Sequence, residues 1–162
     1  MKSLKYLLYS LSILFSYTSC SVDNAIPVDI SSFSNQADSI STLVIKIKNI
    51  PSVEGRIFLA IFNNKLDFDS KSNPVFSGIQ YVNNDSIFII VDSLQSGDYA
   101  ISTYHDLNAN GILDANAFGI PTESFGFSNN ALGTFGPPSF DQSKFNCDGK
   151  KDLYQEIILV HF

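Results

Sequence analysis

The chain has 162 residues, 44% of them hydrophobic and 16% charged, with sixteen acidic against ten basic side chains and a formal net charge of −6. A surface of that sign repels phosphate backbones and no cluster of Lys or Arg interrupts it, which disfavours nucleic acid as a partner. With two cysteines the protein must build a hydrophobic core rather than a disulfide framework.

Met1-Lys2-Ser3-Leu4-Lys5 places two positive charges ahead of the apolar run Tyr6-Leu7-Leu8-Tyr9-Ser10-Leu11-Ser12-Ile13-Leu14-Phe15. A basic segment before a short apolar run is the pattern of a secretory signal peptide, too short to remain as a membrane-spanning helix. It ends in Ser16-Tyr17-Thr18-Ser19-Cys20. Small residues directly before a Cys resemble a bacterial lipoprotein signal, with Tyr17 standing where an aliphatic residue is usual. Residues 1–19 are therefore expected to be removed and Cys20 to carry the lipid that tethers the chain to a membrane. Lys2 and Lys5 leave with them, so eight basic residues face sixteen acidic ones and the net charge becomes −8.

Residues 20–40 are rich in Ser, Asp and Asn and lack sustained periodicity, as in a flexible tether. The triplets Asp38-Ser39-Ile40, Asp85-Ser86-Ile87 and Asp92-Ser93-Leu94 resemble a bacterial O-glycosylation signal, and only the tether copy is expected to be exposed.

From residue 41 to 162 the pattern is that of one domain made of short strands between turns. Residues 42–48 alternate Ile and Lys, as a half-buried strand does. Residues 55–62 form a continuous apolar run, as in a central strand covered on both faces over part of its length. Residues 76–82 and 86–91 are two more strands, with Asn83-Asn84-Asp85 as a hairpin turn between them. Residues 99–104 and 153–160 complete a set of about seven, and no window carries a helical stripe.

Leu94-Gln95-Ser96-Gly97-Asp98-Tyr99 resembles the Leu-x-x-Gly-x-Tyr turn of prealbumin-like and related Ig-like β-sandwiches. Tyr99 is expected to lay its ring over the gap between sheets and to find its hydroxyl a partner at the edge. The expected fold class is thus all-β, an Ig-like or prealbumin-like antiparallel β-sandwich with one long ordered loop.

The strand opened by Tyr99 runs into Asp106-Leu107-Asn108-Ala109-Asn110-Gly111-Ile112-Leu113-Asp114. Side-chain oxygens fall at the first, third, fifth and ninth positions, so a curled backbone would turn Asp106, Asn108, Asn110 and Asp114 toward one hard cation. Gly111 suits the sharp turn at the sixth position, and the Ile112 carbonyl would be the backbone ligand at the seventh. The opening is that of an EF-hand loop. It departs at the twelfth position, where Ala117 stands in place of a bidentate Glu, leaving water, Asn116 or Glu123 to complete the shell. Calcium is the cofactor expected, bound weakly, on the order of 0.1–1 mM as in extracellular modules. A metal-free turn is the competing reading, because Asn, Asp and Gly also build Asx-turns.

Beyond the loop, residues 118–140 carry Gly, Pro and five phenylalanines. The glycines and prolines deny the segment long regular structure, while the rings are too many for a solvated loop. An ordered lid completing the core is the favoured reading. In the alternative, Phe118, Phe125, Phe127 and Phe135 remain open as a binding surface for a carbohydrate or peptide.

Four blocks in order then carry a specific resemblance. They are Gly97-x-Tyr99-Ala100-Ile101; His105-Asp106-x-Asn108-x-Asn110-Gly111-x-x-Asp114; Gly119-Ile120-Pro121-x-Glu123-x-x-Gly126-Phe127-Ser128-Asn129-Asn130; and Gly136-Pro137-Pro138-Ser139-Phe140. Together they resemble an uncharacterised bacterial family catalogued as domain of unknown function 2141, over about residues 42 to 162. The resemblance implies a secreted, β-rich, prealbumin-like domain and assigns no activity.

His105 beside Asp106 invites a catalytic reading, but no Ser or Cys nucleophile sits in a recognisable elbow, and the other His is His161. His105 is expected to turn away from the metal, into the sheet or onto the loop backbone. No enzymatic activity is expected; a metal-dependent hydrolase would need His105 and Glu123 in one cleft. The sequence therefore describes a calcium-stabilised, lipid-anchored accessory or binding module of the bacterial envelope, whose partners are the membrane through Cys20 and an envelope protein or glycan.

Overall fold

A computed structural model describes residues 40–162. The expected signal peptide, Cys20 and the expected tether up to residue 39 lie outside the described residues. Ile40, placed above in the tether, already opens the first strand.

The first sheet is built on β1 (Ile40–Lys48), which lies between β4 (Ile87–Gln95) and β8 (Leu153–Ile158). β1 pairs antiparallel with β4 and parallel with β8. Its alternation is the expected one: Leu43, Ile45 and Ile47 are fully buried, while Lys46 lies on the other face over the Phe88 ring.

The second sheet has the order β3-β2-β5-β6, from β2 (Arg56–Phe62), β3 (Phe76–Tyr81), β5 (Gly97–Asp106) and β6 (Phe125–Phe127). A further strand, β7 (Phe145–Cys147), pairs with the start of β5. The two sheets enclose a core that includes Ile45, Ile47, Ile57, Ile61, Ile101 and Ile157. The fold is the expected all-β sandwich, with eight strands among the described residues rather than about seven. Six of them are the stretches named from the sequence, and the other two, the three-residue strands β6 and β7, are too short to show a period.

β2 and β5 are covered on both faces over part of their length, as the run at 55–62 suggested. Ile61 and Ile101 point between the sheets, while Phe62 and Ala100, next in sequence, enter a second core with Phe68, Phe127 and Phe140. Two short helices carry the last of those rings: α1 (Lys65–Ser70) brings Phe68 and α2 (Phe140–Ser143) brings Phe140. At six and four residues neither is long enough to show a helical stripe. Both are capped at the N-terminus. Asn64 accepts from the Asp67 N–H, and Ser139 with Gln142 forms a reciprocal capping box.

Two local expectations are overturned. Asn83-Asn84-Asp85 is not a hairpin turn, because β3 pairs with β2 and β4 with β1, so the connection passes from one sheet to the other. The Asp92-Ser93-Leu94 triplet is not hidden: β4 has a register shift there, Ser93 takes a φ of 62°, and Asp92 and Ser93 are exposed.

Tyr99 behaves as expected. Its ring is buried and its hydroxyl donates to the Gln95 carbonyl at 3.1 Å, closing the β4–β5 turn. Cys147 is a buried free thiol within the inter-sheet core.

Candidate functional site

β5 ends at Asp106, and the chain leaves the sheet there as the Asx-rich loop. The Asp106 side chain is fully buried and organises the loop from beneath. Its Oδ1 accepts from the Asn110 N–H at 2.9 Å, and its Oδ2 from the Gly111 N–H at 2.8 Å. Arg56, its cross-strand neighbour on β2, donates through Nη2 to Oδ2 at 3.0 Å and to the Ala109 carbonyl at 2.6 Å. Burial alone would raise the Asp106 pKa; the Gly111 N–H, Arg56 and the Asn110 N–H outweigh it and hold the carboxyl below its ordinary value. Gly111 takes a φ of +86°, the left-handed turn expected at the sixth position.

Around the loop mouth, Asn108 and Asn110 turn toward Asp114. Their Nδ2 atoms lie 2.6 Å and 3.1 Å from Asp114 Oδ2. Their Oδ1 atoms accept from the N–H groups of Asn110 and Ile112 as Asx-turns. With the amides turned over, their oxygens would join Asp114 as ligands of the kind a hard divalent cation takes, at the cost of both Asx-turn bonds. Among the described residues no three His, Cys, Asp or Glu groups stand close enough to hold a metal. The fit therefore depends on amide and backbone oxygens as well as carboxylate.

Glu123 reaches the loop across a gap of sixteen residues, but as a brace. One carboxylate oxygen accepts from the Leu107 N–H at 2.9 Å and the other from the Asp114 N–H at 3.0 Å, tying entry to exit. Asn116 is occupied too, its Oδ1 accepting from the N–H groups of Phe118 and Ile120 in a small hairpin closed by the Ala115–Pro121 bridge.

That hairpin forms one wall of an apolar groove of about 800 Å³ on the outer face of the second sheet. Ala60, Ser102 and Tyr104 form its floor, Leu113, Phe118 and Ile120 the loop-side wall, and Gly133, Thr134, Gly136 and Pro137 complete the lining. Phe125, Phe127 and Phe162 close the aromatic end, with Phe125 and Phe162 at 5.6 Å between centroids.

The phenylalanines thus divide between the two readings. Phe127 and Phe140 complete the second core, as a lid would. Phe118 and Phe135 are 90% and 99% exposed. Phe118, Phe125 and Phe127 line the groove, whereas Phe135 borders a smaller polar depression near Lys65 and Asp69. Lys71, Tyr104, Ile120 and Phe162 also line the groove without having been singled out in the sequence. The apolar ones read as core, and Lys71 as an ordinary loop cation.

His105 lies on the inner face of β5, 1% exposed, with Nε2 2.7 Å from the Glu54 carbonyl. It faces away from Ser102 and Tyr104 on the groove floor, since alternate residues of a strand point to opposite sides.

The sequence model of a bacterial family matches residues 45–154, and its description reads "uncharacterized protein conserved in bacteria" (DUF2141). The chain belongs to this family. The match takes in the Asx-rich loop, Glu123 and most of the groove, and stops before Phe162. Comparison with curated proteins found no significant match, and comparison with solved structures found none either.

Proposed function

We propose that this member of the family is a calcium-stabilised, lipid-anchored binding module of the bacterial envelope, without catalytic activity of its own. The observation that carries the reading is spatial. The Asx-rich loop and the hairpin at its exit are one continuous unit, and that unit is a wall of the apolar groove.

When bound, calcium supplies a single positive centre for the oxygens of Asp106, Asn108, Asn110 and Asp114 and the Ile112 carbonyl. The chain's own residues do the rest. Glu123 clamps the loop ends, Arg56 and Asp106 fasten its base to the sheet, and Tyr104 donates to the Gly111 carbonyl at 3.0 Å from the groove side. Ordering the loop therefore orders the wall, so occupancy by the metal tunes the groove. His105, buried and bonded to backbone, is placed for a structural part, which supports the non-catalytic reading.

Calcium titration of the purified protein by calorimetry and thermal melting tests the proposal, with Asp114→Ala as control. Saturable binding with a raised melting temperature, lost in the variant, is expected. Absence of binding up to about 10 mM, above the extracellular-module range, would leave the loop as a hydrogen-bonded turn. Metabolic labelling with a fatty acid, lost in Cys20→Ser, tests the anchor.

A further inference from the structure

We infer that the groove on the outer face of the second sheet binds a long-chain fatty-acid carboxylate, its acyl chain along the apolar floor and its head group at Lys71. The inference rests on the reading of the chain as a binding module and adds the class of ligand.

The volume, about 800 Å³, falls within the range of sites that hold one small molecule. Its polar inventory is sparse: the hydroxyls of Ser102, Tyr104 and Thr134 are the side-chain ones on the groove side, and that of Tyr104 already donates to the Gly111 carbonyl at 3.0 Å. A glycan brings many hydroxyls that need partners, and the groove has few donors left to offer. An acyl chain needs none, and apolar area removed from water favours it by roughly 25 cal/mol per Å².

Among the described side chains lining the groove, Lys71 is the charged one. Its ammonium sits 3.7 Å from the Phe68 ring centroid and 5.6 Å from that of Phe127, and donates to the Phe68 carbonyl at 2.5 Å. Held between rings and a backbone carbonyl, it is a partly desolvated cation with donors to spare for an incoming anion. Burial pulls its pKa down and Asp69 opposes that; a bound carboxylate adds to the opposition. One cation beside an apolar trough matches a ligand with one anionic end.

The test uses the purified full-length protein and cis-parinaric acid, a fluorescent fatty acid, with its methyl ester as the uncharged comparison. Saturable fluorescence enhancement by the acid, displaced by an unlabelled saturated fatty acid, is expected. Lys71→Gln should weaken the acid about tenfold, as loss of a charge-assisted hydrogen bond does, and leave the ester unchanged. Ala60→Phe, which fills the floor, should abolish both; Ser102→Phe serves in its place if that variant fails to fold by circular dichroism. No saturable binding of the acid overturns the inference, as does equal binding of acid and ester, or acid affinity untouched by Lys71→Gln. The titrations are repeated in calcium and in chelator. Acid binding without any calcium response removes the metal reading and leaves this one standing; calcium binding without acid binding does the reverse.

Discussion

Arg56 and Asp106 face each other as register partners on β2 and β5, and their ion pair, 3.0 Å long with the carboxylate fully buried, is where the Asx-rich loop is fastened to the sheet. The guanidinium also holds the Ala109 carbonyl. Removing it leaves a buried carboxylate with only backbone N–H partners and frees the loop's midpoint. Arg56→Met is expected to cost about 1–3 kcal/mol, read as a lower urea midpoint in chelator.

Glu123 holds the loop ends through two backbone N–H groups. In Glu123→Gln the amide offers one acceptor where two are used, so one N–H loses its partner. The expected cost is about 1–2 kcal/mol. Hydrogen exchange should accelerate at the amides of Leu107 and Asp114 while the β1 amides keep their protection, which separates local loosening from global destabilisation.

Tyr99→Phe removes only the hydroxyl bonded to the Gln95 carbonyl and keeps the ring in the core. A loss of about 1 kcal/mol is expected, with an unchanged denaturant slope, because the surface exposed on unfolding is the same.

Asp67 lies in the first turn of α1, where the side-chain amides of Asn64 and Asn73 donate to its carboxylate. These bonds, Asn64 first, hold its pKa below the ordinary value against a small opposing effect of burial. A depressed folded-state pKa means stabilisation that is present above the unfolded value of about 3.9 and lost as pH falls through the folded value. The difference in melting temperature between the wild type and Asp67→Asn should therefore be constant near neutrality and shrink on acidification below about pH 4.

The longer strands, the Tyr99 turn and the tight curl of the Asx-rich loop at Gly111 were determined by the sequence itself. Each is a local pattern. Alternation at 42–48 follows from successive side chains pointing to opposite faces of a strand, and the loop from oxygen-bearing residues spaced along a tight curl. The short caps Asn64-x-x-Asp67 and Ser139-x-x-Gln142 were equally local and could have revealed α1 and α2.

Only the tertiary structure decided which sheet each strand joined. Alternation states that a stretch has a wet and a dry face and says nothing of its partner, so residues 76–82 and 86–91 read as a hairpin although they lie in different sheets. For the same reason the bracing by Glu123 was out of reach, since it depends on meeting two N–H groups nine and sixteen residues away. The groove is the furthest from the sequence. Ala60, Lys71, Leu113 and Phe162 lie on four separate segments, and they form one surface because β2 and β5 hold a second core on their outer face and the loop folds back beside it.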